Sequence, residues 1–255
     1  MKVLTMNVVF LFAIIMPCCV TKSHEGKAEN NYPLPTRNSN VGDIILVNAK
    51  GVDRCGVGEL IQSISKCQPK AIGINYLFVE EKEPICDSTL RAAIINADNV
   101  VLVEGFENGT HVESNSKFTS VAFLSAPNGL MQEESGVTEQ YYRMIDYRGK
   151  WEISFPFLLA LQLNKSRAAE LSSKLTPQDY TINFYHRLEE FIVLDHDTRF
   201  SDKCNLLKDK IVLVGSLGPT DEDLYITQKT MKSSDKTYGT VVIANVILDI
   251  LKELN

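Results

Sequence analysis

A chain of 255 residues, 44% hydrophobic and 23% charged, has the composition of an ordinary folded protein and is long enough for one large domain or two small ones. A net charge of −6 leaves no basic stripe for a phosphate backbone, and the longest acidic run, Glu80-Glu81 with Glu83 beside it, is too short for an acidic tail. Nucleic acid is therefore excluded as a partner class.

The first twenty residues carry Lys2 and then the apolar run Val8-Val9-Phe10-Leu11-Phe12-Ala13-Ile14-Ile15-Met16, the charged and hydrophobic regions of a secretory signal. The stretch from Val8 to Val20 is shorter than the roughly 18 to 20 apolar residues of a spanning helix, which favours a cleaved signal over a retained anchor. Cys18-Cys19 follow directly, where a bacterial lipoprotein carries its lipidated cysteine, although Met16-Pro17 are poor substitutes for the small residues that such processing prefers. Residues 1–20 are expected to direct export to the periplasm or cell envelope, with membrane tethering through this segment as the alternative to release. Residues 21–40, with Lys, Ser, Asn and Pro and almost no apolar periodicity, read as a linker, and one domain is expected over 41–255.

Within that domain, Asp43 to Asn48 is a compact apolar strand, followed by the glycine-rich stretch Gly51 to Gly58 and a helix with Leu60, Ile61 and Ile64 at helical spacing. A second strand is expected at Ala71 to Phe78. Asp87 or Ser88 then caps a helix through Leu90, Ile94 and Ile95, and a third strand follows at Asn99 to Val103. Phe118 to Leu124 reads as a short strand, Gln140 to Tyr147 as one arm of a hairpin and Phe155 to Leu163 as a helix. Tyr180 to Tyr185 reads as another strand, Lys210 to Val214 as a central one and Val241 to Leu254 as the terminal helix. Strands that are apolar throughout and alternate with single helices imply an α/β fold: a mostly parallel sheet flanked by helices, with an inserted antiparallel and helical middle region.

Beyond residues 1–20, Cys55, Cys67, Cys86 and Cys204 form an even set in an oxidising compartment; disulfides are permitted, with buried free thiols as the alternative. No pair has Cys-x-x-Cys spacing and no histidines cluster beside them, so no metal or cofactor is expected. Gly215-Ser216-Leu217-Gly218 follows a strand but lacks the Lys and Ser/Thr of a P-loop and the third Gly of a dinucleotide fingerprint, which favours a tight turn. Asp195-His196-Asp197 reads as a turn for a different reason: neighbouring side chains on a strand point to opposite faces and cannot converge on a metal. His111 and His186 stand isolated. Ser216 has no Gly-x-Ser-x-Gly context, so catalysis is not expected, although an exported hydrolase acting through Ser216 and a structural envelope protein stand as alternatives.

From Gly42 to the C-terminus the order and spacing of motifs resemble the CHASE type 2 family of extracytoplasmic sensor domains. The resemblance is carried by Asp43 to Val47; by Pro69-Lys70-Ala71-Ile72-Gly73-Ile74-Asn75, with Asn75 where an Asp is common; and by Asn99 to Leu102. It continues through Tyr142-Arg143-Met144 before Ser154-Phe155, Ile182-Asn183-Phe184-Tyr185-His186 without the family's Arg and Gly, Lys210 to Gly215, and Asp223. It ends at Gly239-Thr240-Val241-Val242-Ile243-Ala244-Asn245, with Ile243 in place of a His. The resemblance implies a noncatalytic sensor for a small molecule or an envelope protein partner. Asn75, Arg143, Asn183, Ser216, Asp223 and Asn245 are its candidate ligand-binding residues. Because the family's domain usually precedes transmembrane helices and an output module, a chain ending at Asn255 is expected to signal through a partner.

Overall fold

The computed structural model describes residues 40–254, except 108–109, 133–135, 148, 164, 166–169, 171–174, 176–177, 184–185, 219–223 and 228–235. The expected export segment with Cys18 and Cys19, most of the linker, and Asp223 lie outside the described residues.

After a 3-10 turn at Asn40–Asp43, strand β1 (Ile44–Asn48) leads into helix α1 (Arg54–Ser65), whose N-cap Asp53 accepts a hydrogen bond from the Gly56 N–H at 2.8 Å. Strand β2 (Ala71–Ile74) is shorter than its apolar run, because the chain leaves the sheet at Asn75. Helix α2 (Pro84–Ala97) begins at Pro84 rather than at Asp87 or Ser88: proline has no N–H to leave unsatisfied in a first turn, so it extends the helix backwards. Asp87 is thereby placed inside the helix and buried against the Arg54 guanidinium.

Strand β3 (Val100–Glu107) continues into the antiparallel β4 (Thr110–Val112). The expected strand at Phe118 to Leu124 is instead one helical turn, α3 (Ser116–Thr119), capped by Asn115, followed by β5 (Leu124–Pro127). The inserted region holds β6 (Leu130–Gln132), β7 (Thr138–Tyr142), β8 (Met144–Tyr147), β9 (Lys150–Ile153), helix α4 (Phe155–Leu163) and β10 (Asp179–Thr181). Strands β6, β7 and β10 form an antiparallel sheet, and β8 pairs with β9. Then come β11 (Ile192–Asp195), β12 (Ile211–Gly215), the short pair β13 (Leu224–Tyr225) and β14 (Thr237–Tyr238), and a closing helix, Gly239–Leu254.

The main sheet runs β11-β1-β12-β2-β3, all parallel, with β5 parallel to β3 and β4 antiparallel to it. Its last-made member, β12, lies between β1 and β2 and is buried along its whole length. Alternate residues divide two cores. Ile45, Val47, Val212, Val214, Ile72 and Leu102 face α1 and α2, whereas Ile44, Leu46, Ile211, Leu213, Val101 and Val103 face α4 and the closing helix. Helix α4 is buried at every position from Phe155 to Leu161, as expected of a helix that is apolar all round. It approaches the sheet over Gly73, where a Cβ would lie 2.7 Å from Leu159 and 2.8 Å from Leu213.

Two disulfides close the α1/α2 side. Cys55–Cys86 joins the first turns of α1 and α2, and Cys67–Cys204 joins the end of α1 to the helical turn Cys204–Leu207 just before β12.

The closing helix holds the inserted region through one polar stripe. Asn245, Asp249 and Glu253 are spaced four residues apart and so share a face. The Asn245 amide accepts from the His186 N–H and donates to the His186 carbonyl, both at 3.0 Å. Asp249 accepts from the Asn183 N–H at 2.8 Å, and Glu253 pairs with Arg143, whose guanidinium stacks 3.7 Å from the Tyr180 ring centroid. Burial pushes the Asp249 carboxyl up to about 6, against the opposing hydrogen bond from Asn183.

The Cys67–Cys204 bond closes 137 residues and Cys55–Cys86 only 31, so replacing the first pair by Ala is expected to cost about 1 kcal/mol more in urea unfolding than replacing the second. An equal or reversed order would show that denatured-chain entropy does not govern these bonds. Asp249, raised to about 6 from 3.8, holds its proton more tightly in the folded chain; its stability contribution is full below about pH 4 and is lost as pH rises through 6. Asp249→Asn keeps the acceptor for Asn183, so it is expected to stabilise the protein at pH 7 by about 1–3 kcal/mol and to flatten the decline in urea midpoint between pH 4 and 6.

Candidate functional site

The carboxyl ends of β1, β12 and β2 lie side by side, and the chain leaves them in opposite directions. After β1 and β2 it turns to the face covered by α1 and α2; after β12 it returns as the closing helix on the other face. Such a reversal opens a crevice beyond the strand ends, the usual ligand position in open α/β sheets.

Asn48, the last residue of β1, stitches this rim together. Its amide donates to Asp195 Oδ1 at 3.2 Å, while its Oδ1 accepts from the N–H groups of Lys50 at 3.2 Å and Leu217 at 3.1 Å. Its carbonyl accepts from the His196 N–H at 3.0 Å, so Asp195, which ends β11, and His196, in the turn that follows, anchor the edge of the rim. At the end of β2, the Asn75 amide donates to Thr240 Oγ1 at 3.2 Å and its N–H to the Val214 carbonyl at 2.9 Å. The Tyr76 hydroxyl reaches back to the Ala49 carbonyl at 3.0 Å.

Two glycines make this packing feasible. A Cβ on Gly215 would lie 2.1 Å from Thr240 Oγ1, and one on Gly218 would lie 1.9 Å from Lys50 Cδ and 2.8 Å from Lys50 Nζ. The Gly215-Ser216-Leu217-Gly218 turn is thus bare where the first turn of the closing helix and the stem of Lys50 come close. Lys50 and the buried N-terminal turn of the 16-residue closing helix thus flank the segment from Gly215 to Gly218, with Asn75 beside Gly215.

A cleft of about 380 Å³ adjoins the crevice between the β1–α1 and β2–α2 loops, lined by Val52, Arg54, Tyr76, Phe78, Lys82 and Cys86. Its wall is rigid. Arg54 lies between Phe78 and Phe118, 5.5 and 5.3 Å from the ring centroids, and pairs with Asp87. Burial opposes ionisation of Asp87, but hydrogen bonds from Arg54 and Lys117 prevail and hold the carboxyl below its ordinary range. A second hollow, of about 500 Å³, lies at the opposite pole among the C-terminal ends of α1 and α2.

The candidate ligand residues therefore divide. Asn75 packs against Gly215 and Thr240 at the strand ends, and Ser216 follows Gly215 directly in sequence. Arg143 and Asn183, in the inserted region, and Asn245, on the closing helix, belong to the polar stripe that joins the two. Ile243, at the family's His position, is 1% exposed in the core. Phe155 and Phe157 are core residues, whereas Trp151 is exposed on β9. Sequence reasoning passed over Asn48 and Lys50; the signal was an Asn ending an apolar strand, followed by Ala-Lys-Gly. It also gave His111 no role, although Glu104, His111 and Glu152 bring ligand atoms within 4.8 Å of one another.

Among the described residues, no helix is long and apolar enough to cross a membrane. No curated protein and no solved structure matches the chain. The family model of the CHASE2 domain matches residues 47–255, from the end of β1 through the closing helix. The match takes in the crevice, the adjoining cleft and the polar stripe, and on it the chain belongs to the CHASE2 family of extracytoplasmic sensor domains.

Proposed function

We propose that this chain is a noncatalytic sensing domain that binds a small anionic metabolite, a carboxylate or phosphate, in the crevice beyond β1, β12 and β2. The observation that supports this reading is the packing of Lys50 against Gly218 and of Asn75 and Thr240 against Gly215, with Ser216 between the two glycines in sequence, at the point where the chain reverses direction. Asp223 follows Gly218 in sequence and is retained as a contributor. In this reading residues 1–20 direct export and 21–40 link the segment to the domain.

The closing helix supplies a route from ligand to readout. Its buried first turn is tied to the end of β2 through Thr240 and Asn75, and its later turns hold Arg143, Asn183 and the His186 backbone through Glu253, Asp249 and Asn245. A ligand that draws on the first turn biases the position of the whole helix and hence of the inserted region. That is a population shift between two arrangements of one rigid element, and the surface it alters is the one offered to a partner protein.

Melting of the purified chain against a panel of small carboxylates and phosphorylated metabolites tests this. A ligand at one hundred times its Kd is expected to add about 2.7 kcal/mol of stability. Lys50→Met and Ser216→Ala are each expected to weaken binding at least tenfold without lowering the melting temperature of the ligand-free protein. A ligand whose shift survives both substitutions, or a panel with no shift, would contradict the crevice as an anion site.

A further inference from the structure

At the far edge of the sheet, three strands bring metal-ligating side chains together. Glu104 comes from β3, His111 from β4 and Glu152 from β9, and their ligand atoms lie within 4.8 Å of one another. The convergence is built by the backbone: the antiparallel register pairs Gly105 with Val112 and Phe106 with His111, which sets Glu104 and His111 diagonally on one face of the β3–β4 ladder. The β8–β9 hairpin, lying against β5, then brings Glu152 to them.

We propose that Glu104, His111 and Glu152 form a binding site for a divalent transition-metal cation of the zinc type. One imidazole nitrogen with two carboxylates is a donor set suited to zinc, whose bonds of about 2.0–2.2 Å place tetrahedral ligand atoms about 3.3 Å apart. His111 Nε2 and Glu104 Oε2 stand at 2.7 Å and need open only slightly, while Glu152 closes in from the hairpin. The side chains of Glu104 and His111 are 7% and 3% exposed, so these donors are already largely stripped of water.

The neighbouring groups have the arrangement that orients metal ligands. The Ser125 hydroxyl donates to Glu104 Oε1 and leaves Oε2 toward the site; Glu113 Oε1 stands 3.4 Å from His111 Nδ1, within reach of the hydrogen bond that a carboxylate–histidine–metal relay would use. Lys150, which pairs with Glu152 at 2.8 Å, is the cation a metal displaces; its side chain is 79% exposed, so releasing it costs little. Three ligands leave a fourth position for water or for a donor group of a bound molecule.

Zinc titration of the purified, chelator-treated chain, followed by calorimetry, tests the site. One equivalent is expected to bind, with Mg²⁺ unable to compete at equal concentration. Glu152→Gln, at a partly exposed hairpin position, and His111→Gln are each expected to weaken it at least tenfold, with far-UV circular dichroism confirming that the fold is kept. No zinc uptake, or uptake unchanged by Glu152→Gln in the folded variant, would overturn the assignment and leave a buried histidine–carboxylate pair.

Discussion

The burial of β12 between β1 and β2 is the constraint from which the rest of the architecture follows. A strand that enters the middle of a parallel sheet late in sequence must be apolar on both faces, and Ile211 to Val214 are each 0% exposed. Its neighbours are fixed at the same time: every residue from Ile211 to Val214 has register partners on β1 and β2. The two cores, assembled from alternate residues of these strands, are joined through it. The Cys67–Cys204 bond holds the approach to this strand against the end of α1.

The same insertion creates the crevice. The chain departs from β12 to one face and from β1 and β2 to the other, which is the arrangement at which open α/β sheets place their ligand crevice. The polar groups there are tied to backbone rather than scattered: Asn48 binds three segments, and Asn75 binds the closing helix. Gly215 and Gly218 let a helix and a lysine stem approach within distances that no side chain would tolerate. The rim is thus preorganised, and the helix that closes it carries on its other turns the stripe that grips the inserted region.

Much of this was legible in the amino-acid sequence, and the reason is two-sided burial. Runs such as Ile44 to Val47 and Ile211 to Val214 have no polar interruption, so neither strand could be mistaken for a surface element, and parallel pairing followed. Elements that lie at the margins were misread or missed. Strand β11 was passed over although Phe191-Ile192-Val193-Leu194 is as uninterrupted as Ile44 to Val47; Ile192 and Val193 are each more than a third exposed at the sheet edge, so its apolar run does not report two-sided burial. Phe118 became a helical turn because Asn115 caps it, a local hydrogen bond that outweighs the β preference of the residues after it. Motif positions also conveyed importance without chemistry: Arg143 and Asn183 meet the closing helix that carries Asn245, in a register that the sequence alone did not provide. The Glu104–His111–Glu152 cluster needed three strands in register before any of its members looked unusual.

Native-state hydrogen exchange tests the role of β12 most directly, because amides that open only on global unfolding share one exchange free energy. If β12 joins the two halves of the sheet, the amides of Ile211 to Val214 should exchange as slowly as those of Ile45 to Val47 and Ile72 to Ile74, with the same denaturant dependence. Exchange of β12 at a distinctly lower free energy, while β1 and β2 remain protected, would contradict it and show that the sheet is held together without its central strand.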